Sequence, residues 1–344
     1  MHEYLVNAAK LTGVGLPALE EASKTSRQLL SKYKKVLKDE FSKALPEGLE
    51  KTDIVILGSI AREESSSNSD CDYYVLQHGA PPNTTRKLIM AVGKKLTSFG
   101  VRKPGAQGVF GDIVVAANLY ESIGLELDSN ANMTQRILLL SESKPITEGT
   151  AHAEVIDNIL SRYCADYLPP NCEKDSPPRV PRYLLNDLIR YWRTMAVDFG
   201  TKRWRDGDSY LRLAKLRITR KILFAGPLAT VLLAPNKIET NNELQSYLKE
   251  SLAAPPLAQL ARHTDLLDDD SRKAMGILLQ NYDEFIGILS GKQRSVLEGK
   301  GSAKSREGLK KQCRAIGDKI QSSLEQIFYK DPLFKESFQK YAVF

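Results

Sequence analysis

The apolar positions change period several times along the first third of the chain. Over 15–45 they recur every three or four residues among charged ones (Leu19, Ala22, Leu29, Leu30, Tyr33, Val36, Leu37, Phe41), which predicts an amphipathic helix ended by Pro46 and Gly48. Residues 53–57 (DIVIL) then form a short, mostly apolar β-type run that stops at Gly58, and a second run, 73–76 (YYVL), follows a polar stretch. Helical spacing returns over 84–99, residues 109–115 (VFGDIVV) predict a third strand with a glycine irregularity, and 132–142 predicts another helix. From there helical patterns dominate: 151–168, 182–199, 209–233, 241–253, 255–262 and 266–290, with a last helix over 308–327. The Pro-rich stretch 168–178 predicts a linker, and the Gly-, Ser- and Lys-rich stretch 290–306 a flexible connection. The expected fold class is α+β, with residues 1–150 forming a small domain of mixed strands and helices and residues 151–344 a helical domain.

Composition narrows the class. With 344 residues, 42% hydrophobic and 26% charged, the chain has the balance of a folded, water-soluble protein. No uncharged apolar run approaches the roughly 18 residues that span a bilayer, and the first residues lack the basic-then-apolar pattern of a secretory leader. The expectation is a cytoplasmic protein with no membrane partner. Cys71, Cys164, Cys172 and Cys313 form no C-x-x-C pair and have no histidine at zinc-ligand spacing, which argues against a disulfide framework and a zinc site.

Charge is unevenly placed. Residues 1–150 carry 18 basic and 18 acidic side chains, so the net charge of +7 arises entirely from the remainder. It concentrates over 179–221, where twelve Lys and Arg face only Asp187, Asp198, Asp206 and Asp208. A polyanion, triphosphate or nucleic acid, is the partner such a segment suits.

The densest chemistry lies in 57–76 (LGSIAREESSSNSDCDYYVL). A Gly-Ser pair at the end of a buried strand, entering a helix, offers backbone N–H groups and a hydroxyl to an anion, and Gly58 removes a side chain that would block close approach. Gly58, Ser59 and Arg62 are therefore candidate phosphate ligands. Asp70 and Asp72, two apart at the mouth of the next strand, place their carboxylates on one face, where they repel unless a cation joins them. Bridged by Mg²⁺ to a triphosphate, they would set the α-phosphate for in-line attack. The blander alternatives are a turn cap for the aspartates, an N-cap for Ser59, and an ion pair with Glu63 or Asp72 for Arg62.

Gly58-Ser59, ten intervening residues and Asp70-x-Asp72 followed by apolar residues resemble the signature of the DNA polymerase β-like nucleotidyltransferases. The resemblance implies a mixed sheet with flanking helices, two Mg²⁺ ions, transfer of a nucleoside monophosphate from an NTP, and release of pyrophosphate. It further implies a third carboxylate on a neighbouring strand, for which Asp112 is the candidate, the alternative being a solvent-facing strand aspartate. Gly58-Ser-x-Ala-Arg62-Glu-Glu64, Asn132-x-Thr134-x-Arg136 and the segment 182–192 (RYLLNDLIRYW) are similar to stand-alone bacterial nucleotidyltransferase-domain proteins akin to signal-protein uridylyltransferases. That likeness covers about residues 1–230. No His-Asp hydrolase motif or ligand-sensing repeat follows, so transfer without built-in reversal is expected.

Within this reading Lys215 and Arg220, with Arg217 and Lys221, would reach the outer phosphates or the acceptor's backbone, and helix-surface ion pairing is the alternative. Thr134 and Arg136 would line the cleft or sit on a helix surface, Ser65–67 would form a loop able to close over nucleotide, and Tyr73 and Tyr74 would pack in the sheet. The acceptor is a protein or an RNA, tRNA ends included, and an antitoxin or other regulator is a candidate partner, as for nucleotidyltransferase toxins. Two other functions compete: a cyclic-oligonucleotide synthase of antiphage defence, and a non-catalytic nucleotide- or RNA-binding protein on a decayed transferase fold.

Overall fold

The computed structural model describes residues 1–41, 51–66, 69–80, 83–98, 110–165, 178–206 and 209–343. Its helices and strands run, in chain order, α1 (Glu3–Thr12), α2 (Pro17–Phe41), β1 (Thr52–Leu57), α3 (Gly58–Ala61), β2 (Asp72–Gln77), α4 (Asn83–Ser98), β3 (Ile113–Val115), α5 (Ala117–Tyr120), α6 (Asn130–Ser141), β4 (Ser143–Pro145) and α7 (Ala151–Ala165). There follow α8 (Arg182–Asp206), α9 (Tyr210–Arg217), α10 (Thr219–Leu233), α11 (Leu244–Leu252), α12 (Pro256–Ala261), α13 (Asp269–Ser290), α14 (Gln293–Leu297), α15 (Ala303–Glu325) and α16 (Pro332–Phe338). The protein is α+β. It divides into two compact units, Ser23–Glu173 and Met1–Ala22 with Lys174–Phe344. Expected boundaries at 150 and 151 differ from this division: α1 and the start of α2 belong with the C-terminal helices, and α7 belongs with the sheet.

The Ser23–Glu173 unit is built on a sheet of order β3-β2-β1-β4. β1 pairs antiparallel with β2 and β4, and β2 pairs parallel with β3. All six residues of β1 are buried. A strand covered on both faces reads as an unbroken apolar run, which is why 53–57 shows no alternation. Ile54, Ile56, Tyr73 and Val75 face Tyr33 and Leu37 of α2 and Leu88, Val92 and Leu96 of α4. On the opposite face α7 packs on β1 and β2, with α5 and α6 against it.

Buried charge ties those helices together. Arg136 of α6 is completely buried; it forks onto Asp128 at 3.2 and 2.7 Å, donates to Tyr163 Oη of α7 at 2.6 Å and to the Leu119 carbonyl of α5 at 3.0 Å. Asp53, inside β1 and also fully buried, accepts from Thr147 Oγ1 at 2.7 Å, from the Gly149 amide at 3.0 Å and from the His152 amide at 2.8 Å, and so caps the entry to α7. Arg136 is therefore a core tie of α6, neither a cleft residue nor a helix-surface one.

The second unit is helical. α10 is its core: Gly226 lies so close to α12 that a Cβ there would collide with the Pro256 carbonyl oxygen. The predicted helix over 209–233 divides at Ile218, where Thr219 Oγ1 bonds back to the Lys215 carbonyl at 3.1 Å. Asp283 of α13 accepts from the Leu19 amide at 2.8 Å, satisfying a free N–H at the start of α2. Part of the stretch expected to be flexible, 290–306, is helical instead, holding α14 and the first turn of α15. Among the described residues one helical stretch, Tyr210–Asn236, is long and apolar enough to cross a bilayer, and 78% of its most apolar window is buried inside the protein. The expected absence of such a run did not anticipate it. Among the four cysteines, Cys71, Cys164 and Cys313 are free; Cys172 and almost all of the predicted linker 168–178 lie outside the described residues.

Replacing Arg136 with Met takes from the buried Asp128 carboxylate the guanidinium that forks onto it. The expected loss is about 3–5 kcal/mol of stability, read from urea unfolding. Burial, outweighing the pull of Asp53, depresses His152 to about 4. A histidine held neutral in the fold contributes stability that is complete above its unfolded value, about 6.5, and is lost as pH falls from there towards 4. Acidification across that window should remove up to about 3 kcal/mol through this residue. Urea midpoints of His152→Gln should accordingly vary less with pH than those of the wild type.

Candidate active site

β1 delivers the chain to Gly58, whose φ of +69° is a conformation that side-chain-bearing residues rarely adopt. The antiparallel register sets Leu57 opposite Asp72. As a result a Cβ on Gly58 would stand 3.0 Å from Asp72 Oδ2, so the aspartate lies directly against the bare α-carbon. α3 is a single turn. Ser59, in that turn, is half-buried, and among the described residues its hydroxyl has no hydrogen-bond partner.

Asp72 opens β2 and is half-buried, while Asp70 precedes the strand and is exposed. The Asp112 carbonyl accepts from the Val75 amide at 3.0 Å, and the β2–β3 register places Asp112 opposite Tyr74. Asp112 itself is exposed and stands in the bend just before β3, outside the strand. Its own carboxylate accepts from the Ile113 amide at 2.7 Å. Among the described residues no three His, Cys, Asp or Glu side chains gather into a group that could hold a metal ion by themselves. Cys71, between the two aspartates, is buried, and burial with the neighbouring Asp72 charge pushes its thiol up to about 12. It stays protonated and has no nucleophilic part to play.

No family model matches this chain, and neither does any curated protein.

The remaining candidates separate. Arg62 pairs with Glu64 at 2.8 Å and with Glu142, with only 11% of its side chain exposed, so it ties the turn after α3 to the end of α6. Lys215, on α9, and Arg220, on α10, belong to the helical unit and are both half-buried. Tyr73 and Tyr74 are buried in the sheet. Ser65 and Ser66 are buried too: Ser65 exchanges hydrogen bonds with Ser26 of α2 through its hydroxyl at 2.9 Å and its amide at 3.0 Å. This part of the serine run is pinned to α2, and Ser67 lies outside the described residues.

Several residues that shape the site carry no motif. Glu63 adopts φ +61° without being glycine. Its carboxylate accepts from Ser23 Oγ at 2.6 Å and from Arg27 at 3.0 and 3.1 Å. Burial alone would raise its pKa, but those hydrogen bonds outweigh burial and hold it below the usual carboxylate value. The one sequence signal for this latch is the spacing of Ser23, Ser26 and Arg27, three and four apart on a helix face. Asp53 had a clearer signal, a carboxylate inside an apolar strand run.

Gly58→Ala forces an L-residue into the left-handed region and pushes a methyl group against Asp72 Oδ2. Chemical denaturation should show a loss of about 1–2 kcal/mol, whereas Ser59→Ala should unfold close to the wild type.

Proposed function

We propose that this chain is a Mg²⁺-dependent nucleotidyltransferase of the polymerase β-like type, moving a nucleoside monophosphate from an NTP to a hydroxyl of a protein or RNA acceptor. The observation that carries the reading is the contact between the bare α-carbon of Gly58 and the carboxylate of Asp72. Two elements adjacent in space, with twelve residues between Ser59 and Asp72 in sequence, together set a carboxylate against a glycine backbone at the end of a buried strand. The mixed sheet, and the position of Asp112 immediately before the strand parallel to β2, support the same reading.

Carboxylate oxygens are hard ligands that suit Mg²⁺, and this ion is usually held by one or two carboxylates with substrate phosphates completing its shell. Asp70 and Asp72 would hold it, with Asp112 beside them, and no all-protein cage is needed. The cation would neutralise the developing charge on the phosphates. Gly58 lets the triphosphate approach the backbone, and the Ser59 hydroxyl is available to a phosphate oxygen. Asp112 accepts the proton of the acceptor hydroxyl. The acceptor oxygen then bonds to the α-phosphorus as the bond to the β-phosphate oxygen breaks, and pyrophosphate leaves. Arg62, occupied by Glu64 and Glu142, orients the turn that carries Gly58 and Ser59.

Incubating the protein with each α-labelled NTP and Mg²⁺, in total protein and in total RNA separately, tests this. Label should appear on one class of macromolecule and fall by about two orders of magnitude or more in Asp70→Asn/Asp72→Asn. Labelling that survives in the folded double variant overturns the proposal.

A further inference from the structure

The second half of α8 carries almost nothing on its surface from the rest of the protein. From residue 196 to 206 no side chain is buried, and Val197 and Trp204 are 68% and 87% exposed. Gly200 lies between them at spacings of three and four, so the three residues share one face of the helix. Glycine weakens a helix interior relative to alanine; the Pro256 carbonyl oxygen accounts for it at Gly226 and the Arg217 side chain stands beside it at Gly317, whereas Gly308 of α15 faces open space. At Gly200 a Cβ would meet nothing within 4 Å.

The same helix is strongly cationic. Arg193 lies on this face and Arg203 and Arg205 flank it, while Lys202, on the far side, pairs with Asp198 at 2.7 Å, and Asp206 pairs with Arg205 at 2.9 Å and with Arg212 at 3.2 Å. The helix thus joins an outward indole, a side-chain-free strip and a positive field.

We infer that this face of α8 binds single-stranded RNA, with Trp204 as the platform for an unpaired base, the Gly200 strip admitting the chain close to the helix, and the surrounding cations meeting phosphates. An unpaired strand offers both a π-face and regularly spaced negative charge, and stacking of this kind tolerates any base. A duplex hides its base faces, and an acidic polypeptide supplies the charge without the ring. The inference deepens the proposed function by naming RNA as the acceptor. Binding itself needs no transfer chemistry, so the two can fail separately.

The test uses the full chain, without NTP or Mg²⁺, and a fluorescent oligouridylate of about 16 nucleotides, a length within the usual range of single-strand sites. Anisotropy should show binding that weakens steeply with salt and exceeds that of a duplex of equal length. Trp204→Ala should lose roughly tenfold or more in affinity, while Trp204→Phe, which keeps a ring, should retain most of it. Gly200→Leu should weaken binding while raising the thermal midpoint, an opposition that a merely structural role would not produce. Wild-type affinity in Trp204→Ala, the absence of RNA binding, or polyglutamate binding as tightly as the oligouridylate would each overturn the inference, the last by pointing to a protein partner. Trp204-dependent RNA binding without any NTP labelling would leave this surface standing and remove the transferase. Labelling lost in Asp70→Asn/Asp72→Asn, with RNA affinity untouched by Trp204→Ala, would do the reverse.

Discussion

The end of a strand buried on both faces must turn within a residue or two, and here that turn is made by a glycine at positive φ pressed against a carboxylate. Gly58 can occupy this place because it has no Cβ, and Asp72 can stand beside it because the β1–β2 register sets it opposite Leu57. Everything that gives the region chemical character follows from this contact. Ser59 is carried into the following turn with its hydroxyl unengaged among the described residues, Cys71 is driven inward, and Asp70 is left at the exposed mouth of the strand. Slipping β1 against β2 by one residue would turn Asp72 to the other face of the sheet and separate it from Gly58.

That register is held from outside the sheet by polar groups buried with their partners. Asp53 captures the β4–α7 connection, Arg62 bridges to Glu142 at the end of α6, and Arg136 gathers α5, α6 and α7 around one guanidinium. Buried ions add little net stability beside an apolar core of the same shape, but losing one partner strands the other, so they penalise alternative packings. On the α2 side Ser23, Ser26 and Arg27 reach Glu63 and Ser65 and fix the segment that leaves α3. The backbone of Glu63 adopts an unfavourable conformation because these contacts over-determine it.

The helical unit follows a different economy. Its interior is apolar helix on apolar helix, with α10 at the centre and α12 brought in to backbone contact at Gly226. Its surface charges form pairs within or between neighbouring helices, such as Lys202 with Asp198 and Arg217 with Asp318, while a few carboxylates, Asp187, Asp283 and Asp331, are buried. Such pairs are worth little to stability, and over 179–221 twelve Lys and Arg still exceed four Asp, which leaves a net positive charge for a polyanion to meet.

Periodicity and punctuation were enough to place β1, β2, α2, α4 and the long helices, because amphipathic spacing, Gly and Pro act over a few residues. The Gly-Ser and Asp-x-Asp spacing was likewise legible, since it records which residue types stand at the ends of two strands. β4 was invisible: three half-buried residues ending in proline carry no strand pattern, and only pairing with Val55, Ile56 and Leu57 makes them one. Arg62 and Arg136 could be recognised as cations that needed partners, but the partners were remote: Glu142 is 80 residues from Arg62, and Tyr163 is 27 from Arg136. By itself the sequence determined the elements, the chemistry available at the strand ends and the sign of charge on each segment, because these depend on local composition and spacing. Tertiary structure alone decided which cations are spent inside the fold, which glycines face a neighbour and which face open space, and that Trp204 points outward, because each of these depends on what a distant part of the chain brings to the same place.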